Sequence, residues 1–459
     1  MTAFSTLELH NDLLKNLESL GFTEMTPIQA QSLPQILAGK DVIGQGKTGS
    51  GKTAAFGLGL LDKLDVSRFR IQALVLCPTR ELADQVAKEI RRLARTIHNI
   101  KVLTLCGGMP LGPQIGSLEH GAHIIVGTPG RVEEHVRKGT LDLSHLETLV
   151  LDEADRMLDM GFQPALDAIV DAIPAQRQTL LFSATYPAQI QAVAQRIMRQ
   201  PVMVQVASQH DDSSIEQHFY RLTADTDRLT ALQLLLLQFQ PASAVVFCNT
   251  KREAQEVADA LSQQGFAARA LHGDLEQKER DQTLVQFSNR SLTLLVATDV
   301  AARGLDIDAV DAVFNYQIAR DSEVHVHRIG RTGRAGSAGI ACTLFADNEE
   351  HKIVRLEADL GLDISPEPLP PRSLLSRHIE PPAMTTLQID GGKKQKVRPG
   401  DILGALTGDK GIAGNQVGKI QIFDNWAYVA VAHAASRQAL KKLGEGKLKG
   451  RNFRVRRIT

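Results

Sequence analysis

Residues 46–53 read GKTGSGKT, which fits the phosphate-loop pattern GxxxxGK followed by Ser or Thr. The motif lies between an apolar pair, Val42-Ile43, and a stretch with helical character, Thr53–Leu64. Glycines let backbone N–H groups point inward around phosphate oxygens, and the positive end of the next helix adds to the attraction. Lys52 is expected to reach the β- and γ-phosphates and Thr53 to ligate Mg²⁺. The predicted phosphate site comprises Thr48, Gly49, Ser50, Gly51, Lys52 and Thr53.

Short apolar runs rich in β-branched residues follow this motif and alternate with helical stretches such as Arg80–Arg95. Such alternation favours βαβ units and a parallel sheet. The strands predicted for this first unit are Ile71–Leu76, Val102–Leu105, Ile124–Val126, Thr148–Leu151 and Thr179–Phe182.

The alternation restarts after a polar stretch, Gln205–Ser214, that is typical of a linker. The chain therefore contains two α/β units of similar size, for which we expect bounds of 1–207 and 208–364. The strands predicted for the second unit are Ala244–Cys248, Ala267–Leu271, Leu292–Ala297, Ala312–Asn315 and Gly339–Leu344.

Prolines are dense between Ser365 and Pro382, which disfavours helix and central strand and predicts a second linker over 365–382. In residues 383–459 the pattern predicts the order βαββαβ, which is typical of a ferredoxin-like RNA-recognition fold. The predicted elements of this tail module are Thr386–Ile389, Pro399–Leu406, Lys419–Phe423, Tyr428–Val431, Ser436–Leu443 and Phe453–Ile458.

An acidic tetrad, DEAD at residues 152–155, ends the apolar strand Thr148–Leu151. An acidic residue at the carboxyl edge of a parallel sheet lies beside the phosphate loop. Asp152 is therefore predicted to hold Mg²⁺ through water, and Glu153 to orient and deprotonate an attacking water. The alternative is a helix start favoured by the helix dipole.

The charge distribution distinguishes the tail module from the rest of the chain. The chain as a whole has no net charge, but residues 383–459 carry 15 Lys and Arg against 5 Asp and Glu, a net charge of +10. A basic module on an acidic body predicts a polyanionic partner for the module, and the alternative is a solvated lysine-rich surface. Hydrophobic residues make up 43% of the chain and aromatics 4%, which favours aliphatic cores.

The cysteines and the N-terminus indicate a cytosolic protein. Cys77, Cys106, Cys248 and Cys342 form no CxxC pair, so buried reduced thiols are expected rather than a metal site or disulfides. Residues 1–9 lack the pattern of a signal peptide, and no apolar run is long enough to span a bilayer. We therefore expect a soluble, cytoplasmic protein.

The acidic tetrad and the phosphate loop together resemble the DEAD-box RNA helicases, and further segments match that family in order over the first two units. The resemblance implies an ATP-hydrolysing RNA helicase built from two tandem RecA-like parallel-sheet domains and followed here by the α+β module. The matching segments are Gly21-Phe22, Thr26–Gln29, Pro78–Leu82, Gly107-Gly108, Thr128–Arg131, Ser183–Thr185, Leu271–Asp274, Gln277–Arg280, Ala297–Asp306 and His327–Arg334.

The resemblance also implies ATP and Mg²⁺ as the ligands of this motor. Gln29 would read the adenine edge, since an amide can pair bidentately with adenine. Phe22 would lie near the base, with core packing as the alternative, and Asp306 would contact the ribose. Arg331 and Arg334 resemble arginine fingers, whose charge stabilises the transition state once the two units close around ATP.

The RNA contacts implied by the resemblance lie in both units, at Arg80, Gly108, Thr128, Arg131, Thr298 and Arg303. Hydrogen bonds to 2′-hydroxyls would distinguish RNA from DNA. Ser183, Thr185 and His327 would couple closure of the units to RNA, with hydrogen bonds to the backbone as the alternative for the two hydroxyls. His325 departs from the family, which usually carries an aromatic residue there.

The tail sequence WAYVAV at 426–431 resembles the first RNA-binding signature of RNA-recognition modules. Alternate residues of a strand share a face, so Trp426 and Tyr428 are predicted to stack bases, with core packing as the alternative. The match is partial, because the partner strand Thr386–Ile389 has no aromatic residue. Basic segments are therefore the better candidates for RNA contacts, namely Lys393–Arg398, Lys441–Lys449 and Arg451–Arg457, with Lys393, Lys447 and Arg454 as their representatives.

A DEAD-box motor followed by a proline-rich linker and a small basic module resembles the DbpA group of bacterial helicases. That resemblance implies targeting to a hairpin of large-subunit ribosomal RNA during assembly of the 50S subunit. We expect a monomer with a flexible, open arrangement of its parts. The alternatives are an ATP-gated RNA clamp or assembly scaffold, and a general RNA chaperone with a nonspecific tail. A DNA helicase is disfavoured by the spelling of the motifs.

Overall fold

Three β-sheets organise the part of the chain that the structure, a computed structural model, describes: residues 2–46, 49–206, 215–222, 226–302, 310–333, 338–448 and 450–458. The chain divides into two compact units, Met1–Gln209 and His210–Arg303 with Ile307–Thr459. The first unit contains one parallel sheet. The second contains another parallel sheet and the antiparallel sheet of the tail module. The predicted fold class, two parallel α/β sheets followed by an α+β module, is confirmed.

The sheet of the first unit has, within the described residues, seven parallel strands in the order β3-β4-β2-β5-β6-β1-β7. Leu74 and Leu76 belong to one core cluster and Val75 to another, so helices cover both faces, as the unbroken apolar strands require. The strands are β1 (Val42–Gln45), β2 (Ala73–Leu76), β3 (Val102–Leu105), β4 (Ile124–Gly127), β5 (Thr148–Asp152), β6 (Gln178–Ser183) and β7 (Val202–Gln205).

The helices of the first unit begin with a short 3-10 turn at Phe4–Thr6 and continue to Ile197. They are α1 (Asn11–Ser19), α2 (Pro27–Leu37), α3 (Lys52–Lys63), α4 (Arg80–Leu93), α5 (Leu111–Glu119), α6 (Pro129–Arg137), α7 (Ala154–Asp159), α8 (Gln163–Asp171) and α9 (Ala188–Ile197).

The parallel sheet of the second unit has, in the part of the chain described, the strand order β10-β11-β9-β12-β13-β8. Its strands are β8 (Ile215–Arg221), β9 (Ala244–Cys248), β10 (Ala268–Leu271), β11 (Leu294–Thr298), β12 (Ala312–Asn315) and β13 (Gly339–Phe345). Its helices are α10 (Arg228–Phe239), α11 (Lys251–Gln263), α12 (Gln277–Ser288), α13 (Asp299–Ala302), α14 (Ser322–Ile329) and α15 (Glu350–Leu360), with a 3-10 turn at Asp347–Glu349.

The tail module has the predicted βαββαβ order, and its described strands form an antiparallel sheet in the order β15-β16-β14-β17. Leu387, Val429 and Val431 point to one face, where two helices complete a small core. The elements are β14 (Met384–Ile389), α16 (Pro399–Thr407), β15 (Val417–Ile422), β16 (Ala427–Ala432), α17 (Ser436–Glu445) and β17 (Val455–Arg457), with 3-10 turns at Lys393–Gln395, Gly414–Gln416 and His433–Ala435.

The proline-rich segment 365–382 contains a single 3-10 turn, Arg372–Ser376, and is packed against the second unit. The Glu367 N–H donates to the Phe219 carbonyl at 2.7 Å, and the Glu367 carboxylate accepts from His218 Nδ1 at the same distance. Arg377 donates to the Leu237 carbonyl at 3.1 Å. The expected freely flexible linker is therefore wrong for this segment. Proline excludes regular structure there, but it does not prevent packing along a neighbouring surface.

Two edge strands were absent from the sequence prediction. β7 begins with Val202 and ends at Gln205, where a linker was expected to start, and β8 lies directly after residues 207–214, which are outside the described part of the chain. Both strands are short on fully buried residues, as expected at a sheet edge. No helix in the described part of the chain is long and apolar enough to cross a membrane.

Candidate nucleotide and RNA site

The phosphate loop connects β1 to α3 at the carboxyl edge of the first sheet. Gly49 and Gly51 have φ angles of 83° and 94°, a region that favours glycine. Lys52 is buried, and its Nζ donates to the Gly46 carbonyl at 2.6 Å. Thr53 follows, half-buried, in the first turn of α3. The loop thus folds around its own lysine, which must leave Gly46 to reach a phosphate.

Gln29 is braced against the same loop. Its Nε2 donates to the Gly51 carbonyl at 3.1 Å, and its Oε1 accepts from the Thr26 N–H at 2.9 Å, which forms a capping box at the start of α2. The Thr26 hydroxyl donates to the Ser50 carbonyl at 2.7 Å. The residue predicted to read the base therefore touches the loop predicted to hold the phosphates.

Phe22 is half-buried at the edge of the first core. Its ring meets the Phe4 ring edge to face with centroids 6.2 Å apart, and the Arg92 guanidinium lies 5.2 Å from its centroid. These contacts are those of packing, so the role of Phe22 beside a base stays a prediction.

Asp152 ends β5 and is almost completely buried, at 3% exposure. Burial raises the pKa of its carboxyl to about 7, and the nearby Glu153 adds to the rise while Lys52 and Arg156 oppose it. Its Oδ1 has no hydrogen-bond partner within the described residues. A buried oxygen without a donor fits a cation, and Mg²⁺ characteristically takes one or two protein carboxylates and fills its shell with water and phosphate oxygens.

Glu153 has a left-handed backbone, with φ 53° and ψ 51°, which is unusual for a residue with a side chain. Its Oε2 accepts from Arg156 Nη1 at 2.5 Å, and both side chains are 5% exposed. Backbone strain of this kind is found where the surrounding structure fixes one conformation, often at active sites. The predicted base therefore has a fixed backbone and a fixed carboxylate.

Ser183 and Thr185 are both tied to the acidic tetrad. The Asp155 N–H donates to Ser183 Oγ at 3.3 Å, and Asp155 Oδ2 accepts from the N–H and the hydroxyl of Thr185 at 3.0 Å each. The Gly46 N–H donates to the Ser183 carbonyl at 3.0 Å. One short segment thus contacts both the phosphate loop and the tetrad, as a coupling role requires. The alternative of backbone hydrogen bonds also holds for Ser183, so coupling stays a prediction.

The strand order of the first sheet separates two groups of predicted residues. β5, β6 and β1 are neighbours and carry the acidic tetrad, Ser183 and the phosphate loop at their carboxyl ends. β3, β4 and β2 are neighbours on the other side and are followed by Gly108, Thr128 and Arg80. Ligands of open α/β sheets bind at the carboxyl edge, so the two groups form adjacent halves of one edge.

The predicted RNA residues of the first unit contact one another. Gly108 has φ 68°, and a Cβ there would overlap the Arg80 guanidinium, so only glycine fits. Arg131 pairs with Glu134 at 3.1 Å, and its Nη1 donates to the Met109 carbonyl at 2.9 Å. Thr128 precedes α6 and is buried. Their RNA contacts stay a prediction.

Fewer of the predicted residues of the second unit can be described. Thr298 ends β11 and is buried. His327 and Arg331 line a small surface pocket with Asp299 and Arg328. Arg331 is 4% exposed. The predicted site residues that lie outside the described part of the chain are Thr48, Arg303, Asp306 and Arg334.

Arg328 received no role from the sequence, although it lies inside the segment His327–Arg334. It is 1% exposed, and its Nε and Nη2 form a bidentate pair with Asp299 at 2.6 and 2.8 Å. It also donates to Asn249 Oδ1 and to the Gln317 carbonyl, each at 2.7 Å. The guanidinium thus joins the ends of β9, β11 and β12. An arginine in an otherwise apolar helix was the available signal.

His325 is fully buried on α14. Its ring stacks on Phe219 with centroids 6.1 Å apart, and one nitrogen lies 3.1 Å from Gln217 Oε1. Burial lowers the pKa of His325 to about 4, and Arg328 adds to the effect. A histidine thus fills the place where the family usually has an aromatic ring, and it does so in the neutral form.

Acid should destabilise the second unit through His325. The unfolded histidine binds a proton below about pH 6.5 and the folded one only below pH 4, so stability present above pH 6.5 is lost between these values. We expect about 2 kcal/mol less stability at pH 5 than at pH 7.5 from this group. His325→Phe should lack that loss in urea titrations followed by Trp426 fluorescence, with His351→Gln on exposed α15 as the control. Equal pH slopes for both variants would contradict it.

One face of the tail sheet is covered by the second unit. Thr386 Oγ1 lies 2.6 Å from Ser291 Oγ and accepts from Asn289 Nδ2 at 3.2 Å. Gln388 Oε1 accepts from Gln282 Nε2, on α12, at 3.0 Å. Thr386 and Gln388 are consequently buried although they point away from the module's own core. The pairs are polar, which explains why strand patterning did not reveal the contact.

The predicted stacking of a base on Tyr428 is wrong for this arrangement, because Tyr428 lies on the covered face with 0% exposure. Burial raises the pKa of its phenol, and Gln282 opposes the rise. Trp426 is half-buried and stacks on Phe423 with centroids 6.4 Å apart. Its Nε1 has no hydrogen-bond partner within the described residues. A base contact of Trp426 stays a prediction.

Three loops meet at one end of the tail sheet. The N–H groups of Lys393 and Lys394 donate to the Phe423 and Asp424 carbonyls at 2.8 and 2.9 Å, and the Asp390 N–H donates to the Arg454 carbonyl at 2.9 Å. The side chains of Lys393, Lys394 and Arg454 are exposed. We name this surface, formed by 393–398, 423–426 and 451–454, the basic end. Lys447 is also exposed, on the segment after α17.

A phosphate loop and an acidic strand end on one sheet edge, followed by a second RecA-like sheet, define a nucleotide-driven motor. The model of the DEAD/DEAH box helicases matches residues 26–193, that of the helicase conserved C-terminal domain residues 227–336, and that of the DbpA RNA binding domain residues 386–457. The chain belongs to the DEAD-box ATP-dependent RNA helicases and, within them, to the DbpA group.

Individual relatives agree with this assignment. The chain is similar to the ATP-dependent RNA helicase DbpA of Escherichia coli (strain K12), at 55% identity over 99% of each chain. It is 46% identical to the DEAD-box ATP-dependent RNA helicase CshA of Geobacillus kaustophilus, over 78% of this chain and 76% of that one. Among solved structures, S. cerevisiae Dbp5 bound to RNA and ADP BeF3 matches with TM-score 0.72 and 30% identity, over 81% of this chain and 96% of that one.

Proposed function

We propose that this RNA helicase hydrolyses ATP to unwind and remodel short RNA duplexes next to a ribosomal RNA hairpin that its tail module binds. The proposed setting is the assembly of the 50S subunit in the cytoplasm, with the protein acting as a monomer. The observation that carries the proposal is the pairing of a complete sheet-edge motor with a separate, exposed basic end. The similarity to a helicase of the DbpA group supports the ribosomal setting.

Within the motor, the chain's residues divide the chemistry. Lys52 would exchange the Gly46 carbonyl for phosphate oxygens when ATP binds, which frees the loop. Glu153 would accept the proton of the attacking water. Arg331 and Arg334 are the candidate arginine fingers, and Gln29 would select adenine. Ser183 and Thr185 would carry the state of the phosphate loop to Asp155.

Mg²⁺ is the cation that fits the acidic edge. Asp152, through its unpaired Oδ1, and the Thr53 hydroxyl would hold it. When bound, Mg²⁺ neutralises charge on the phosphate oxygens. In the described part of the chain no cluster of three or more His, Cys, Asp or Glu side chains could hold a metal alone, which agrees with a cation that needs ATP oxygens as ligands.

The tail module would bind RNA through its basic end, because its sheet face is covered by the second unit. Phosphate contacts from Lys393, Lys394 and Arg454 would supply affinity, and Trp426 would offer a ring for stacking. A module packed on the second unit would hold the hairpin at a fixed place on that unit. Neighbouring duplexes would then meet the motor at raised effective concentration.

Reversal of two charges at the basic end should weaken targeting without weakening the motor. We expect Lys393→Glu with Lys394→Glu to raise by at least about tenfold the concentration of a large-subunit ribosomal RNA hairpin that half-maximally stimulates ATPase, with little change in the saturated rate. Lys410→Glu with Arg437→Glu makes the same charge change near the start of α17, at the opposite end of the module, and should have little effect.

Comparison with an unrelated RNA of equal length separates the proposed function from its alternative. Strong stimulation by the ribosomal hairpin alone supports targeted remodelling. Equal stimulation by both RNAs, with equal losses in both charge-reversed variants, would instead indicate a general RNA chaperone with a nonspecific tail. All titrations need one fixed salt concentration, because phosphate contacts weaken steeply with salt.

A further inference from the structure

A buried cation beside the candidate base takes no part in the nucleotide and RNA contacts described above. Arg156, on α7, is 4% exposed. Its side chain donates from Nη1 to Glu153 Oε2 at 2.5 Å. Arginine is seldom fully buried unless it is paired, so this side chain is committed to its carboxylate partner.

The pair differs in kind from the other arginine–glutamate pairs on the helices of the same unit. Arg137 and Glu133, on α6, form such a pair at 3.2 Å with side chains 65% and 27% exposed. An exposed pair of that type contributes little, since water screens both charges. In the buried pair, loss of one partner leaves the other charge without compensation. The position of Glu153 therefore depends on Arg156.

Two independent constraints act on Glu153. Its left-handed backbone fixes where the side chain leaves the main chain, and the ion pair fixes Oε2. Fixing one oxygen fixes the plane of the carboxylate, and hence the direction of Oε1. Lys52, the other cation of this edge, is expected to serve phosphates. Arg156 is the cation of this cluster that remains for the base.

We propose that Arg156 is a positioning residue that orients the Glu153 carboxylate toward the attacking water. The inference rests on the proposed role of Glu153 as the base. It follows the general arrangement in which a third group orients a catalytic base. Arg156 itself touches neither ATP nor RNA in this scheme, so its loss acts on turnover and leaves ligand affinity in place.

Arg156→Met should separate kcat from the binding constants. With saturating RNA, we expect kcat to fall at least about tenfold, while KM for ATP and the RNA concentration for half-maximal stimulation stay within about twofold. Arg156→Lys should recover part of kcat, because it keeps a donor and the charge. Arg137→Met, which breaks the exposed pair, is the matched control. Thermal unfolding shows whether each variant is folded at the assay temperature.

Double substitution tests whether Arg156 acts through Glu153. In single-turnover reactions, Glu153→Gln with Arg156→Met should be no slower than Glu153→Gln alone, because the second change removes only the orientation of an absent base. A further slowing by the factor seen in Arg156→Met alone would overturn the inference. So would Arg156→Met or, if that variant does not fold, Arg156→Lys with the kcat of the parent protein, or a joint change of kcat and KM in either.

Failure of this inference can be distinguished from failure of the proposed function. Full turnover in Glu153→Gln would remove the base assignment, whatever Arg156 does. Slow turnover in Glu153→Gln combined with parental turnover in both Arg156 variants would leave the proposed function intact and remove only the positioning role.

Discussion

Glu153→Gln is expected to lower RNA-stimulated ATP turnover by about 10²- to 10⁴-fold, the usual contribution of a general base. Gln has the size of Glu, so the left-handed backbone at this position and the contact with Arg156 can persist. ATP and RNA binding should therefore survive, because the groups that contact phosphate and RNA are unchanged. The measurement is the steady-state ATPase rate with saturating RNA, alongside equilibrium binding of a nonhydrolysable ATP analogue.

The matched control is Glu133→Gln, which removes a carboxylate from an exposed arginine pair in the same unit. It should leave turnover within about twofold of the parent protein, since surface pairs contribute little. Strand displacement separates two readings of an inactive variant. If Glu153→Gln unwinds duplexes as well as the parent does, ATP serves only to clamp RNA, and the alternative of an ATP-gated clamp gains support.

The alternation of apolar runs and helices was sufficient to predict the two parallel sheets and the tail order. Val102–Leu105, Ala244–Cys248 and Ala312–Asn315 match the observed strands residue for residue. Buried central strands of parallel sheets are nearly all apolar, which makes them conspicuous in sequence. β7 and β8 lie at sheet edges and are polar on one side, so their sequences resemble loops.

The candidate site was predicted unevenly, for a physical reason. Motifs in which neighbouring residues act together, such as the phosphate loop, carry their geometry in their spacing. Long-range contacts do not. The packing of Thr386 and Gln388 against α12 depends on residues about a hundred positions apart, and polar pairs leave no periodic signal. Tyr428 was misassigned for that reason, since an aromatic on a strand is compatible with an exposed or a covered face.

The role of Arg328 shows the same limit within a recognised motif. The segment His327–Arg334 was identified by resemblance, but its most buried member was not distinguished from its neighbours. Only the fold brings Asp299, Asn249 and Gln317 around one guanidinium. Burial of an arginine with a complete set of acceptors is a property of three strand ends meeting, and no local pattern encodes it.

Arg328→Met is accordingly expected to lower the free energy of unfolding of the second unit by about 3–5 kcal/mol, the usual cost of breaking a buried ion pair. The substitution leaves the Asp299 carboxylate, the Asn249 amide and the Gln317 carbonyl without their donor. Urea unfolding followed by Trp426, the single tryptophan of the chain, reports on this unit because the tail module packs against it.

Two further variants isolate the cause. Arg328→Lys keeps the charge but lacks the planar fork that pairs with both oxygens of Asp299, so its loss should be intermediate. Arg320→Met breaks an exposed pair with Asp321, at 3.3 Å, and should change stability by less than about 0.5 kcal/mol. A loss in Arg328→Met as small as that control would contradict the structural role. Because Arg331 follows one turn later and lines the same pocket, the role also bears on function: the residue that joins the strand ends sets the position of a candidate arginine finger.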